Sequence, residues 1–245
     1  MYLCIIPDII GDFIFISGGD EAGRGALIGP LVISLVSIKK NLEYKLSDIG
    51  VTDSKLISKK KRKILFPQIH ELCSEIKVSK IYPMEINKAF ETKISLNQLE
   101  AMHFSALFNQ MKTYASLLYL DSPEVIQEKF GILFQKMSKK PVIVKNVKFK
   151  KELGLSYTKI ISEHKADLRY PVVSAASIIA KVIRDNEIKL IEKKLHIKFG
   201  SGYPSDKITI DSVRNNLKNP KINEFLRVHW KTVDRIKQKS LFPKD

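Results

Sequence analysis

Residues 18 to 30 read GGDEAGRGALIGP, and β-type sequence lies on both sides of them. Residues 12–18 (DFIFISG) and 30–38 (PLVISLVSI) are rich in β-branched and aromatic residues and bounded by glycine and proline, which predicts two strands joined by this stretch. Glycine weakens the interior of a helix or strand, so a segment this rich in it belongs where the backbone turns or approaches another group closely. Asp20 and Glu21 stand at its head. Adjacent strand residues point to opposite faces, so both carboxylates can serve one site only where the strand ends or bends, and Gly23 and Gly25 supply that freedom. These two glycines also leave unobstructed backbone around Arg24, able to approach a sugar-phosphate chain. Two phosphate-cradling patterns do not fit. A P-loop needs Gly-Lys followed by Ser or Thr, which is absent, and the spacing of Gly23, Gly25 and Gly29 misses the dinucleotide fingerprint by one residue. A tight turn with no ligand is the remaining alternative.

The rest of the chain alternates strand-like and helix-like segments. Ser58 caps an expected helix over 58–66, whose residues Lys59 to Lys63 form a dense basic cluster, and residues 76–83 alternate like a strand. Ser95 caps another helix, in which Leu96, Leu99, Ala106, Leu107 and Met111 fall at helical spacing and read as core. Then come SLLYLD as a strand, PEVIQEKFGILFQKM as a helix with Pro123 in its first turn, and PVIVK as a strand. The longest expected helix starts at Pro171, and Ser174, Ala175, Ala176, Ser177 and Ala180 let it pack closely on a sheet. After Gly200 the texture changes to a loop, GSGYPSD, followed by short basic helices over 208–241. Such alternation predicts an α/β fold, a mixed central sheet flanked by helices with a small helical C-terminal appendage. With 245 residues, the expected division is a main domain over 1–204, including an N-terminal extension at 1–11, and a basic appendage over 205–245.

Charge narrows the class of partner. Lys and Arg number 42 against 26 Asp and Glu, a net charge of +16, which attracts polyanions and above all nucleic acid. An anionic membrane surface and a merely solvated basic face are the alternatives. No run reaches the roughly 20 apolar residues that span a bilayer. The apolar N-terminus, interrupted by Pro7, Asp8 and Asp12, lacks the features of a signal peptide, and it reads as a short extension. Cys4 and Cys73 are the only cysteines, without metal-ligand spacing, so they read as ordinary small hydrophobes in a reducing, cytoplasmic setting.

Two further carboxylates share the position of Asp20 and Glu21 at element ends. Asp121 closes SLLYLD, and Asp167 lies in SEHKADLRYP just before the long helix. Hard divalent cations take oxygen ligands, and carboxylates gathered at strand ends can hold a pair of them. Such a pair activates water and stabilises a leaving oxygen, the chemistry of phosphodiester hydrolysis.

These segments together resemble the ribonuclease HII family, the type 2 ribonucleases H, and most closely its archaeal branch. The resemblance runs in order through DEAGRGALIGP, VTDSKL, SLNQLEAMHFSAL, YLDSP, EHKADLRYPVVSAASIIAKVIRD, GSGYPSD and RVHWKT. It implies a ribonuclease H-like fold and hydrolysis of the RNA strand in RNA/DNA hybrids, including cuts 5′ of single ribonucleotides embedded in duplex DNA. It implies that Asp20, Glu21, Asp121 and Asp167 form the acidic tetrad that binds Mg²⁺ or Mn²⁺, two ions with substrate present. Gly23, Arg24 and Gly25 match the segment that senses the ribose 2′-hydroxyl, and Tyr203 the tyrosine that packs against the sugar beside the cut. Lys55 and Lys165 are expected phosphate contacts. Two positions depart from the family pattern. Ala26 stands where proline usually follows GRG, which should loosen the turn, and Leu56-Ile57 stands where a second lysine and leucine are usual. A DNA nuclease or resolvase of the same fold, or a non-catalytic nucleic-acid-binding protein, would share part of this pattern. The C-terminal QKSLF begins, at Gln238 and Leu241, a sliding-clamp-binding box but lacks its later aromatic pair. A monomer is expected.

Overall fold

The computed structural model describes residues 14–52, 57–147 and 157–241. Cys4, Lys55 and Leu56 lie outside the described residues, as does the N-terminal extension. A six-stranded sheet carries the fold, with strands β1 (Phe15–Ala22), β2 (Leu31–Lys39), β3 (Glu75–Ile81), β4 (Ala115–Asp121), β5 (Val142–Val144) and β6 (Thr158–Glu163) in the spatial order β3-β2-β1-β4-β6-β5. The helices are α1 (Tyr44–Asp48), α2 (Lys59–Leu72), α3 (Pro83–Glu91), α4 (Leu96–Gln110), α5 (Gln127–Met137), α6 (Ala166–Arg169), α7 (Pro171–Leu195), α8 (Lys207–Asn216) and α9 (Lys231–Leu241). Among the described residues no helix is long and apolar enough to cross a membrane. Contacts divide the chain into two compact units, one of residues up to Asp20, Ser34–Ser79 and Glu100–Ile179, the other of Glu21–Ile33, Lys80–Leu99 and everything from Ala180 on.

In the first unit β1, β4, β6 and β5 pair in parallel, with Gly19 opposite Leu120 and Asp121 opposite Glu163. Gly18 and Gly19 face opposite sides of the sheet, and each admits a close neighbour, which explains why the strand accepts two successive glycines. A Cβ at Gly18 would stand 2.6 Å from the backbone of Val172 and Val173 in the first turn of α7, and one at Gly19 would stand 2.7 Å from the Phe104 ring of α4. The small residues Ser174, Ala175, Ala176 and Ser177 are accordingly buried. Edge-to-face pairs Phe104–Phe130 and Phe108–Phe134 join α4 to α5, with ring centres 5.9 and 5.4 Å apart.

Local signals account for most element starts. Ser58 accepts from the Lys61 N–H at the head of α2, and at α4 Ser95 and Gln98 cap each other reciprocally, at 3.2 and 2.9 Å. The core stripe of α4 differs from expectation. Leu99, Leu107 and Met111 are buried and Leu96 is half-buried, but Ala106 is exposed; Ala101, Phe104 and Phe108 take the inward positions. α5 begins at Gln127 rather than at Pro123, because the intervening loop is tied down otherwise: Ser122 donates to the Gln127 carbonyl, and the His164 ring lies 3.2 and 3.3 Å from the carbonyls of Ser122 and Val125. Cys73 is half-buried and burial pushes its thiol up to about 12, so it is unreactive at neutral pH.

The second unit has its own apolar core. Leu27 and Ile28 from the glycine-rich stretch, Ile188 and Ile191 from the later part of α7, and Phe199, Val213, Ile222, Phe225, Leu226, Val233 and Ile236 pack together. The segment expected as an appendage is helical, and its apolar residues share one core with Leu27 and Ile28. Asp206 caps α8, accepting from the N–H groups of Ser201 and Ile208 at 2.7 and 2.9 Å, and these bonds hold its carboxyl below the usual range. Gly18→Ala should destabilise the protein by about 1–3 kcal/mol, because backbone atoms rather than a flexible side chain occupy the space a methyl group needs. Equilibrium unfolding in urea measures this as a lower midpoint.

Candidate active site

β1 runs further than the sequence pattern predicts, through Ala22, so Asp20 and Glu21 lie within the end of the strand rather than after it. Asp20 is buried, 5% exposed, and Glu21 half-buried. The strand ends because Gly23 adopts a positive φ of 96°. On the neighbouring strand Asp121 is the last residue of β4, one step beyond the pairing of Gly19 with Leu120. Carboxylate oxygens of Asp20, Glu21 and Asp121 lie within 4.8 Å of one another. Three carboxylates so close repel each other unless a cation sits among them, and an all-oxygen donor set suits a hard divalent ion. These residues therefore fit the metal that the sequence implied.

Asp167 does not fall within that group of three, but the chain that carries it is fastened to Asp121. After β6, Lys165 takes a left-handed conformation, φ 56° and ψ 39°, uncommon for a residue with a side chain. The bend turns the Ala166 N–H onto Oδ1 of Asp121 at 2.8 Å. Asp167 follows in the short helix α6, buried with 4% of its surface exposed. The bond from Ala166 occupies one lone pair of Asp121 and fixes the rotation of its carboxylate. Lys165 itself is exposed. At the end of β6, opposite Asp121, Glu163 is half-buried among Tyr170, Arg169 and Lys145. Burial by itself would raise its carboxyl, but hydrogen bonds from these three groups outweigh it and hold the group below the ordinary range.

The segment Gly23-Arg24-Gly25 forms a turn closed by the Ala26 N–H on the Gly23 carbonyl at 3.2 Å. Proline, usual at that position in the family, could not donate this bond, so Ala26 replaces a rigid ring by a hydrogen bond instead of simply loosening the turn. The two glycines differ, and here the expectation of open backbone at both needs correcting. Gly25 is exposed, and a Cβ there would meet nothing within 4 Å, whereas a Cβ at Gly23 would meet Nε of Arg184 at 2.5 Å and the Pro30 carbonyl at 2.7 Å. Gly23 is thus required by packing, and Gly25 is the residue that leaves space.

Two buried arginines brace this turn, and neither was singled out in the sequence as a site residue. Arg227, fully buried, donates from Nη1 to the Arg24 carbonyl at 2.8 Å and from Nη2 to the Gly29 carbonyl at 3.1 Å. Arg184, 3% exposed, donates to the Ser201 carbonyl at 2.9 Å and lies 4.3 Å from the centre of the Tyr203 ring. Tyr203 is half-buried. The Gly202 carbonyl accepts from Leu27 N–H at 2.8 Å, which ties GSGYPSD to the glycine-rich turn. Arg24 donates to Asn97. A charged residue interrupting the small and apolar face of α7 was the available signal for Arg184. Gln238 is exposed near the end of α9, and residues 242–245 of the expected clamp box lie outside the described residues.

The family model for ribonuclease HII matches residues 17–233. A ribonuclease HII of Pyrococcus furiosus is 41% identical over 228 residues, covering 91% of each chain. Among solved structures, the ribonuclease H2 of Pyrococcus horikoshii superposes with a TM-score of 0.77 at 35% identity, covering 94% of this chain and 100% of that one. A ribonuclease HII of Archaeoglobus fulgidus, solved in complex with PCNA, gives a TM-score of 0.74 at 33% identity, covering 91% and 97%. With the acidic group at the ends of β1 and β4 and this similarity over nearly the whole length, the chain belongs to the ribonuclease HII family and is a ribonuclease H acting on RNA/DNA hybrids.

Proposed function

We propose that this enzyme cuts the RNA strand of hybrids and also cuts 5′ of single ribonucleotides embedded in duplex DNA, leaving a 3′-hydroxyl and a 5′-phosphate, and so serves ribonucleotide removal in the cytoplasm. The observation that carries the proposal is the gathering of Asp20, Glu21 and Asp121 within 4.8 Å. Asp20, Glu21, Asp121 and Asp167 hold the divalent ions, Mg²⁺ or Mn²⁺. When bound, such a pair supplies Lewis acidity that activates water and stabilises the departing 3′ oxygen. The protein's own contribution is placement. Burial of Asp20 and Asp167 excludes water around the charged oxygens and strengthens their pull on a cation, and the Ala166 N–H keeps Asp121 in one orientation.

Ribose selection belongs to the second unit. The open position at Gly25 lets backbone approach a sugar, the 2′-hydroxyl offers both a donor and an acceptor, and Tyr203 packs against the sugar ring. Lys165, exposed just after β6, and Lys55 contact phosphates, and the net charge of +16 draws the duplex in. Binding to a sliding clamp through the C-terminal QKSLF is a separate reading, supported by the Archaeoglobus assembly, and a pull-down of the full chain with a clamp decides it.

An assay on three duplexes, all-DNA, single-ribonucleotide and continuous hybrid, tests the main reading. Asp20→Asn and Asp121→Asn should each lower metal-dependent cleavage by about a hundredfold or more, while cleavage of the all-DNA duplex by the unaltered enzyme would favour a DNA nuclease. The glycines should separate in a second comparison. Gly23→Ala should reduce stability by more than about 1 kcal/mol because of its positive φ and its contact with Arg184, whereas Gly25→Ala should leave the melting temperature unchanged and weaken discrimination between ribose and deoxyribose.

A further inference from the structure

Arg184, in α7, is buried within the second unit, and two parts of the proposed ribose-reading surface, the Gly23 turn and the Ser201 to Tyr203 loop, rest on it. Its guanidinium carbon lies 4.3 Å from the centre of the Tyr203 ring. Gly23 lies so close that a Cβ there would stand 2.5 Å from Nε, and at Gly202 one would stand 2.9 Å from Nη2. The Ser201 carbonyl accepts from Nη2 at 2.9 Å and so fixes how far the guanidinium plane is rotated. Burial acts against the charge on Arg184, while the neighbouring Tyr203 and Asp185 favour it. Among the described residues its buried Nε donates no hydrogen bond. An apolar side chain of similar volume would fill the same slot without the desolvation of a charge or an unsatisfied donor. Filling space therefore does not explain an arginine here; a cation that donates to the Ser201 carbonyl and lies over the Tyr203 ring does.

We infer that Arg184 is a positioning residue for ribose selection: its guanidinium sets the plane of the Tyr203 ring and the spacing between that ring and the Gly23 turn without itself touching the substrate. The inference rests on the reading of Gly23 to Gly25 and Tyr203 as the ribose contacts. Displacing a packing group by about 1 Å is enough to lower turnover by an order of magnitude or more.

Two measurements on the full chain decide it. In protein labelled with 3-fluorotyrosine, the ¹⁹F signal of Tyr203, identified by its loss in Tyr203→Phe, should shift in Arg184→Lys while the other tyrosine signals stay in place. An unmoved Tyr203 signal overturns the inference. On the single-ribonucleotide duplex, Arg184→Lys should lower kcat by about tenfold in the unaltered background and by less than about twofold in the Tyr203→Ala background, since one residue acts through the other. Losses that multiply would assign Arg184 a role independent of Tyr203 and overturn it as well. If Tyr203→Ala alone leaves cleavage intact, the ribose reading of Tyr203 fails, and the ¹⁹F signal still decides whether Arg184 orients the ring. Should Arg184→Lys not fold, Arg184→Met, which buries no charge, goes through the same two measurements; failure of both to fold makes Arg184 a core residue and overturns the inference.

Discussion

Parallel pairing of β1 with β4 determines where the carboxylates can meet. Its register sets Gly19 opposite Leu120, so the next residues of the two strands are Asp20 and Asp121. A slip of one residue would send every side chain to the other face and take Asp20 away from its partner. The two glycines that precede Asp20 help to lock that register. The first turn of α7 can press on the strand at Gly18, and the Phe104 ring at Gly19, only because neither residue has a Cβ. Like charges on neighbouring strands repel each other, and an all-carboxylate group of this kind suits a hard divalent cation.

A second constraint acts on the other unit. The turn Gly23 to Gly29 is anchored by Leu27 and Ile28 in the core of this unit, and buried arginines from far along the chain also grip its carbonyls and α-carbons. Arg227 binds the carbonyls of Arg24 and Gly29, and Arg184 packs on Gly23. Charged donors suit this task because one guanidinium offers several fixed N–H directions at once. The segments that carry those arginines are anchored in the apolar core, by Leu226 next to Arg227 and by Ile188 one turn after Arg184 in α7. Residues 205–241 therefore serve the glycine-rich turn as much as they contribute basic surface.

Much of this is legible in the sequence because strong local signals agree with the tertiary outcome. The Ser58 and Ser95 caps, the long helix after Pro171 and the carboxylates at element ends are of this kind. The sequence pattern does not reveal β6 and α3. β6 has the charged Lys159 within it although its neighbours are buried, which breaks the apolar run a parallel strand usually shows. At α3, the alternation over 76–83 predicts a strand that reaches Pro83, whereas this proline occupies the first turn of a helix, where its missing N–H does no harm. The distinction between Gly23 and Gly25 lies beyond the sequence, since it depends on Arg184, far along the chain. The left-handed Lys165 is equally hidden, because its conformation is imposed by the bond between Ala166 and Asp121 and not by its own preference.

Strand register gathers Asp20, Glu21 and Asp121 into a group that could hold a cation, and the most direct test of that role is calorimetric titration of Mn²⁺ into the full chain. Nucleic acid is left out, so the result depends on no assumption about substrate. The unaltered protein should take up the ion, and Asp121→Asn, correctly folded by circular dichroism, should bind it at least about tenfold more weakly, as expected for loss of a charged ligand. Equal affinity in the two proteins would contradict the account.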